Sequence, residues 1–371
     1  MLIGVPKEIK NHEYRVGLTP SSVRDIAAHG HQVIVERNAG AGIGVTDADY
    51  QAAGAAIVDT AEEVFARAEM IVKVKEPQAA ERARLRPGQI LFTYLHLAPD
   101  PAQTEELVAS DAVCIAYETV TNAQGGLPLL APMSEVAGRM SIQCGARCLE
   151  KSAGGRGMLL GGVPGVEAAK VTILGGGVVG SNAAIMAAGM GARVVVIDRS
   201  LDTLRNLVRQ FGTRIETVYS TRDAVERHVL DADVVVGGVL IPGAAAPKLV
   251  TREMIGRMKP GAVVVDVAID QGGCFATSKP TTHAEPTYVV DGVVHYCVAN
   301  MPGGVPRTST FALNNATLPY VLALADKGYR HALRDDPHLA NGLNVHRGKV
   351  TYAAVAEALG YQYTPIAQAL Q

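Results

Sequence analysis

Arg15, Lys75, His96 and Asp270 are side chains able to do anion or proton chemistry, and each stands just past a short apolar run. Arg15 lies in the long loop after Leu2–Val5, Lys75 follows Ile71–Val74, His96 follows Ile90–Tyr94, and Asp270 follows Val263–Val267. If those runs are parallel strands, all four occupy the carboxyl ends, where open α/β sheets bind ligands. Arg15 can grip a carboxylate through two parallel hydrogen bonds. Lys75 is a compact cation that can polarise a keto oxygen or hold the second carboxylate oxygen. His96 offers a general acid/base for work at neutral pH. Asp270 can exchange protons with an amine or with the water that cleaves an imine. Taken singly each has an ordinary explanation: a solvated loop arginine, a Lys75–Glu76 pair, a hydrogen-bonded core histidine, an aspartate shaping a glycine turn. Their joint placement is what points to a site, and their chemistry suits a small acid bearing an amino or keto group.

A second constellation reads as a dinucleotide site. Val171-Thr172-Ile173-Leu174 is a buried strand, followed by Gly175-Gly176-Gly177-Val178-Val179-Gly180 and an alanine-rich helix, Ser181–Met190. A lone G-x-G-x-x-G means little among 39 glycines, but between a strand and a helix it is specific. Gly175 permits the tight turn, Gly177 lets the backbone approach a pyrophosphate, and Gly180 allows close helix–strand packing. The helix N-terminus then presents unpaired N–H groups to the phosphates. The next strand, Arg193–Ile197, ends in Asp198, where a carboxylate accepts from the adenosine ribose hydroxyls. Against a 2′-phosphate that carboxylate would cost roughly 4 kcal/mol at contact distance. NAD is therefore expected over NADP, although Arg199 offers a phosphate a partner.

The elements that must position these residues come in two sets. From Leu2 to Tyr117, apolar runs alternate with amphipathic stretches, giving expected strands at Leu2–Val5, Val33–Glu36, Ile71–Val74, Ile90–Tyr94 and Val113–Ala116. A helix is expected over Pro20–His29, capped by Thr19 with Pro20 at its first position. A second set follows at Lys170–Leu174, Arg193–Ile197, Asp233–Val236, Ala262–Val267 and Thr287–Val290. Such alternation implies mostly parallel sheets covered by helices. Ser134–Lys151, beginning at a good capping residue, reads as a helix bridging two domains. Ser309–Ala325, which contains Pro319 and should kink there, reads as a return crossing. The expected division is 1–130 and 307–371 as one discontinuous domain, with 131–306 inserted into it.

At 371 residues the chain exceeds one hydrophobic core. Its 34 basic and 36 acidic side chains leave a net charge of −2, which offers no general attraction to nucleic acid or an anionic membrane. Its apolar runs fall short of the ~20 residues a membrane helix needs, and the first residues read as a strand instead of a secretion signal. Cys114, Cys144, Cys148, Cys274 and Cys297 show no metal-binding spacing. Free thiols in a reducing cytoplasm and no metal are expected.

The stretches Met1–Glu8, Asn11–Pro20, Val72–Pro77, Phe92–His96, Pro132–Gly138, Leu174–Gly180, Asp266–Gly273 and Val298–Gly303 closely resemble bacterial alanine dehydrogenases, and the resemblance runs nearly end to end. It implies two Rossmann-like, doubly wound α/β domains, with the cofactor domain inserted into a discontinuous substrate domain. It also implies NAD-dependent interconversion of L-alanine with pyruvate and ammonium by a cytoplasmic homohexamer. By that resemblance Arg15 and Lys75 bind substrate, and His96 and Asp270 are the catalytic acid/base residues, with the proton steps undivided between them. The cofactor would be held by Ser134, Val178, Val179, Asp198, Ser220, Val239, Leu240, Val267, Ala268, Ile269, Asp270, Lys279, Val298, Ala299, Asn300 and Met301. Thr203 stands where some relatives carry a basic residue. Ala323 and Lys327 offer no ligand pair where some members hold a metal. The alternative from another class is the soluble NAD(H)-binding component of a proton-translocating transhydrogenase, which shares the Arg-Val…Thr-Pro opening but needs no small-molecule site.

Overall fold

Valine- and isoleucine-rich runs too short for helices and punctuated by glycine, proline or aspartate become strands. The computed structural model of the chain describes residues 1–239 and 246–371. They divide into two units, Met1–Met133 with Val305–Gln371, and Ser134–Gly304.

In the first unit the chain lays down β1 (Leu2–Val5), β2 (Gln32–Glu36), β3 (Ala56–Val58), β4 (Met70–Val72), β5 (Ile90–Thr93) and β6 (Val113–Ala116). They run parallel in the order β3-β2-β1-β4-β5-β6. The chain winds outward from β1 to β3, then restarts on the other side of β1 with β4. That reversal is a topological switch point, where the loops leaving the two central strands diverge and open a crevice. Helix α1 (Pro20–Ala28) follows the first loop, with Thr19 Oγ1 accepting from the Ser22 N–H at 3.3 Å and Pro20 in its first turn.

Helix α2 (Ala131–Cys148) leads into the second unit. There β7 (Lys170–Leu174), β8 (Arg193–Asp198), β9 (Glu216–Tyr219), β10 (Val234–Gly237), β11 (Val263–Asp266), β12 (Thr287–Val290) and β13 (Val293–Tyr296) form a sheet ordered β12-β13-β11-β10-β7-β8-β9. All pairings are parallel except β12 with β13. The same winding recurs, with the switch point between β7 and β10. Helix α3 (Val178–Gly189) follows β7. After helix α4 (Pro306–Lys327), which runs through Pro319, β14 (Leu343–His346) extends the first sheet antiparallel to β6, and β15 (Lys349–Val350) pairs antiparallel with β14 at the edge. Each sheet is buried among apolar side chains, Ile71, Leu91 and Cys114 in the first unit and Val171, Val196 and Val265 in the second. Among the described residues no helix is long and apolar enough to cross a membrane.

The expected elements hold, with differences at their edges. β4 stops at Val72, two residues short of the expected end, although Lys73 and Val74 still bond to Phe92 and Tyr94 across the gap. Helix α2 begins three residues before Ser134, so that residue sits in the first turn and does not cap the helix. β13 escaped notice as a separate strand, yet Asp291-Gly292 before it is a strong hairpin signal. Both residues are left-handed, at φ of 50° and 79°.

Candidate functional site

Three of the residues singled out by type, Arg15, Lys75 and His96, leave the carboxyl edge of one sheet, following β1, β4 and β5, which are neighbours. Arg15 is 2% exposed. Its Nε and Nη2 donate to Glu13 at 2.7 and 2.6 Å, and its own backbone N–H reaches the same carboxylate at 3.1 Å. Nη1 lies 3.1 Å from the Met133 sulfur. Burial works against the guanidinium charge, but Glu13 more than offsets it and the pKa is raised. The paired hydrogen bonds expected for a ligand carboxylate are thus made along this edge to Glu13, and Arg15 enters the site as a braced, permanent cation.

Lys75 is mostly buried, its Nζ 3.9 Å from Glu76 Oε2. Glu76 also pairs with Lys10, and its pKa is lowered: burial pushes it up, but the two cations outweigh burial. The peptide N–H groups of Val74 and Lys75 both donate to Glu8 Oε1, at 2.7 and 3.3 Å. Glu8 Oε2 takes Lys73 Nζ at 3.0 Å, and that ammonium also reaches Glu81 at 2.7 Å.

His96 is held with a left-handed backbone, φ 50°, an uncommon conformation for a residue with a Cβ and one that clusters at functional sites. Glu118, from the turn after β6, accepts the His96 N–H at 2.6 Å and the Leu95 N–H at 3.2 Å. The imidazole stacks on Tyr94 with ring centroids 5.8 Å apart and planes 7° from parallel, and its Nδ1 is 3.9 Å from Glu118. Burial raises the Tyr94 phenol far above its ordinary pKa while the charge of Arg15 acts the other way, so Tyr94 links the arginine to the imidazole as a neutral wall. The His96 side chain stays 43% exposed.

Asp270 belongs to the second unit, on a short turn, Ile269–Gln271, after β11, and is exposed. The loop carrying it is gripped from both polarities. Buried Asp266 accepts from the N–H groups of Ala268 at 3.2 Å and Cys274 at 2.9 Å and from the Ser278 hydroxyl. Lys248 Nζ donates to the carbonyls of Gly273 and Phe275 at 2.9 and 3.2 Å.

The dinucleotide fingerprint sits at the switch point of the same sheet. Gly175 has φ 95°, and a Cβ on Gly180 would lie 1.8 Å from the Gly175 carbonyl oxygen. A Cβ on Gly177 would meet nothing within 4 Å. Gly177 is also the N-cap of α3 and supplies no side-chain acceptor, so the first N–H groups of a 12-residue helix face space that a phosphate can fill. Asp198 departs from its expected use, since its oxygens accept from the backbone N–H of Gly176 and of Ser200, both at 2.7 Å. It fastens the glycine loop to the end of β8, and its remaining lone pairs keep it an acceptor.

The other candidate cofactor residues gather along this edge: Ser220 after β9, Val239 after β10, Val267, Ala268 and Ile269 after β11, and Val298, Ala299, Asn300 and Met301 after β13. Asn300 is left-handed, at φ 60°. Lys279 holds its ammonium 4.5 Å from the Tyr288 ring centre. Ser134 stands one turn before Gly138, where a Cβ would lie 2.2 Å from the Val179 carbonyl oxygen, so α2 lies directly against the start of α3. Leu240 lies outside the described residues. Among the described residues no group of three or more metal-binding side chains is arranged around a common point. Sequence reasoning missed Glu8, Glu13, Glu118 and Asp266, the carboxylates that hold the named residues, because their contacts carry no periodic signature.

The sequence pattern of the family described as "Alanine dehydrogenase/PNT, N-terminal domain" matches residues 4–137, and that of "Alanine dehydrogenase/PNT, C-terminal domain" matches residues 141–353. The chain is 64% identical over 367 residues to a protein of Halomonas elongata named alanine dehydrogenase, covering 99% of each. It is 57% identical to the alanine dehydrogenase of Mycolicibacterium smegmatis over the whole of both chains. A solved structure of an L-alanine dehydrogenase superposes with a TM-score of 0.94 at 53% identity, over 97% of this chain and 99% of that one. A transhydrogenase from Sinorhizobium meliloti shares the fold, with a TM-score of 0.83 at 24% identity over 95% of this chain and 100% of that one.

Proposed function

Because this chain belongs to the alanine dehydrogenase/PNT family, we propose that it is an NAD-dependent L-alanine dehydrogenase, interconverting L-alanine with pyruvate and ammonium. The observation that carries the proposal is the set Arg15, Lys75 and His96 at the switch point of the first sheet. A component that only hands hydride between nucleotides has no use for a cationic small-acid site on the sheet that lacks the dinucleotide fingerprint. Full-length identity of 64% to a named alanine dehydrogenase supports the same reading.

In this reading the discontinuous unit, residues 1–130 and 307–371, handles the substrate and residues 131–306 handle NAD. Lys75 and Arg15 hold the substrate carboxylate, while Glu13 fixes the arginine against rotation. Orientation of that kind is worth several kcal/mol of barrier. NAD, held by Asp198, the glycine loop and the start of α3, supplies the hydride acceptor. His96, steadied on Tyr94 and Glu118, and Asp270, on its clamped turn, move the protons of water addition to the substrate imine and of ammonia release. The expected setting is cytoplasmic and the expected assembly a homohexamer, both resting on the resemblance and the second open to analytical ultracentrifugation.

The test is the initial rate of NADH oxidation with pyruvate plus ammonium, with either omitted, and with glyoxylate in place of pyruvate. A rate that needs both reactants and is fastest with pyruvate is the expected result. NADH oxidation indifferent to ammonium contradicts the proposal.

A further inference from the structure

We infer that Glu8 is the positioning residue for Lys75, an inference that rests on the proposed role of Lys75 in holding the substrate carboxylate. Glu8 is 7% exposed and lies just after β1; Lys73 and Glu81 are 0% and 1% exposed. The three form a buried ion cluster in which one ammonium serves two carboxylates. Such clusters contribute little net stability after desolvation, and an apolar replacement of the same shape is often as stable. What this one does is local. Glu8 spends one oxygen on Lys73 and the other on the consecutive N–H groups of Val74 and Lys75. Those peptides lie just beyond the end of β4 at Val72; β5 still holds the carbonyls of Val74 and Lys75 through the Tyr94 N–H and the Thr93 hydroxyl, and the carboxylate holds the two N–H groups of the backbone that delivers Lys75. Glu81 shares the ammonium, but its other oxygen accepts from Gln78, away from Lys75.

Two acceptor oxygens are what let Glu8 do both jobs. Burial, with the carboxylates of Glu81 and Glu13, raises its pKa on balance, while Lys73 and the Val74 N–H favour the charged form. For Lys73, burial acts against the charge, and Glu8 with Glu81 prevails. A glutamine at position 8 has one acceptor oxygen where glutamate has two. The buried ammonium, making the stronger charge-assisted bond, takes that oxygen. The amide NH2 then faces two peptide N–H groups, and the Lys75 backbone keeps the Thr93 bond to its carbonyl but loses the anchor on its N–H.

The experiment compares Glu8→Gln, Glu81→Gln, the neutral triple variant Glu8→Gln/Lys73→Met/Glu81→Gln and Lys75→Ala. For each, KM for pyruvate, KM for NADH, kcat and Tm are measured in the NADH-oxidation assay. Glu8→Gln should raise KM for pyruvate about tenfold, as loss of a buried acceptor predicts, with KM for NADH unchanged. Glu81→Gln should lower Tm yet keep the parental KM. In the triple variant no ammonium competes for the glutamine oxygen, so KM for pyruvate should return to within about threefold of the parent. A merely structural role would leave KM unmoved in Glu8→Gln, or raised and not restored in the triple variant, and either result overturns the inference. If Glu8→Gln fails to fold, leucine replaces glutamine at position 8 of the neutral variant: KM must rise with leucine and not with glutamine. Lys75→Ala with a parental KM for pyruvate would refute the role of Lys75 itself and this inference with it; a raised KM there beside an unmoved Glu8→Gln refutes the inference alone.

Discussion

At the scale of single residues, Arg15, Lys75 and His96 are each held by a carboxylate, Glu13, Glu8 and Glu118 in turn. His96 carries its imidazole on a left-handed backbone pinned by Glu118, which keeps the ring against Tyr94 and exposed at its edge. His96→Ala is expected to lower kcat/KM for pyruvate by about 10²–10⁴ while Tm moves little, since the side chain contributes little buried surface. A near-parental rate and an unchanged pH–rate profile would remove His96 from the chemistry. Glu13 is the opposite kind of residue. Removing one partner of a fully buried pair costs roughly 3–5 kcal/mol, so Glu13→Ala should lose stability as well as affinity for pyruvate, read as a fall in Tm together with a rise in KM. Residue types were legible in the sequence where chemistry demands them: a guanidinium, an ammonium, an imidazole past strand ends. Their partners were not, because Glu118 meets His96 across 22 residues and Glu8 meets Val74 across 66, separations that only the folded sheet brings together.

At the scale of elements, two glycines of one fingerprint make opposite demands. A methyl group at Gly180 would collide with the Gly175 carbonyl at 1.8 Å, whereas at Gly177 it enters empty space. Gly180→Ala should therefore lower Tm, and Gly177→Ala should fold normally yet raise KM for NAD, because the space it fills is the one assigned to the pyrophosphate. Unchanged KM for NAD in Gly177→Ala would remove the phosphate from that loop. β14 adds a pH dependence. His346, 3% exposed, has its pKa lowered from 6.5 to about 4 by burial and by the charges of Arg330, Arg347 and Lys349. The native state resists a proton that the unfolded chain accepts, so this group's contribution is complete above pH 6.5 and is lost as pH falls toward 4. The loss is on the order of 3 kcal/mol, and in His346→Gln the fall of Tm across that window should be shallower than in the parent.

Strands with continuous β-branched runs, β7, β8, β10 and β11 among them, were legible because both faces are buried. β3 and β9 were not: one is three residues long and the other, Glu216–Tyr219, is a polar edge strand with little hydrophobic pattern to read.

At the scale of the whole molecule, the chain builds one doubly wound sheet, inserts a second, and returns through α4 to add β14 and β15 to the first. The two sheets repeat one winding, so each has a switch point; Arg15, Lys75 and His96 follow strands at and beside one, while the dinucleotide fingerprint occupies the other, with Asp270 past β11 of that sheet. The alternation of strand and helix made that architecture legible, whereas the completion of the first sheet by residues near the C-terminus rests on pairing with β6 that no local pattern announces. In the proposed function Asp198 sets the cofactor preference: catalytic efficiency with NAD should exceed that with NADP, since a carboxylate beside a 2′-phosphate is repulsive. Hydride moved from the α-carbon of L-alanine to NAD carries its isotope with it, so the protein is incubated with L-alanine deuterated at that carbon and the mass of the NADH formed is measured. Deuterium in the NADH, with pyruvate and ammonium released in equal amounts, is the predicted result; NADH free of deuterium, or none formed at all, contradicts it.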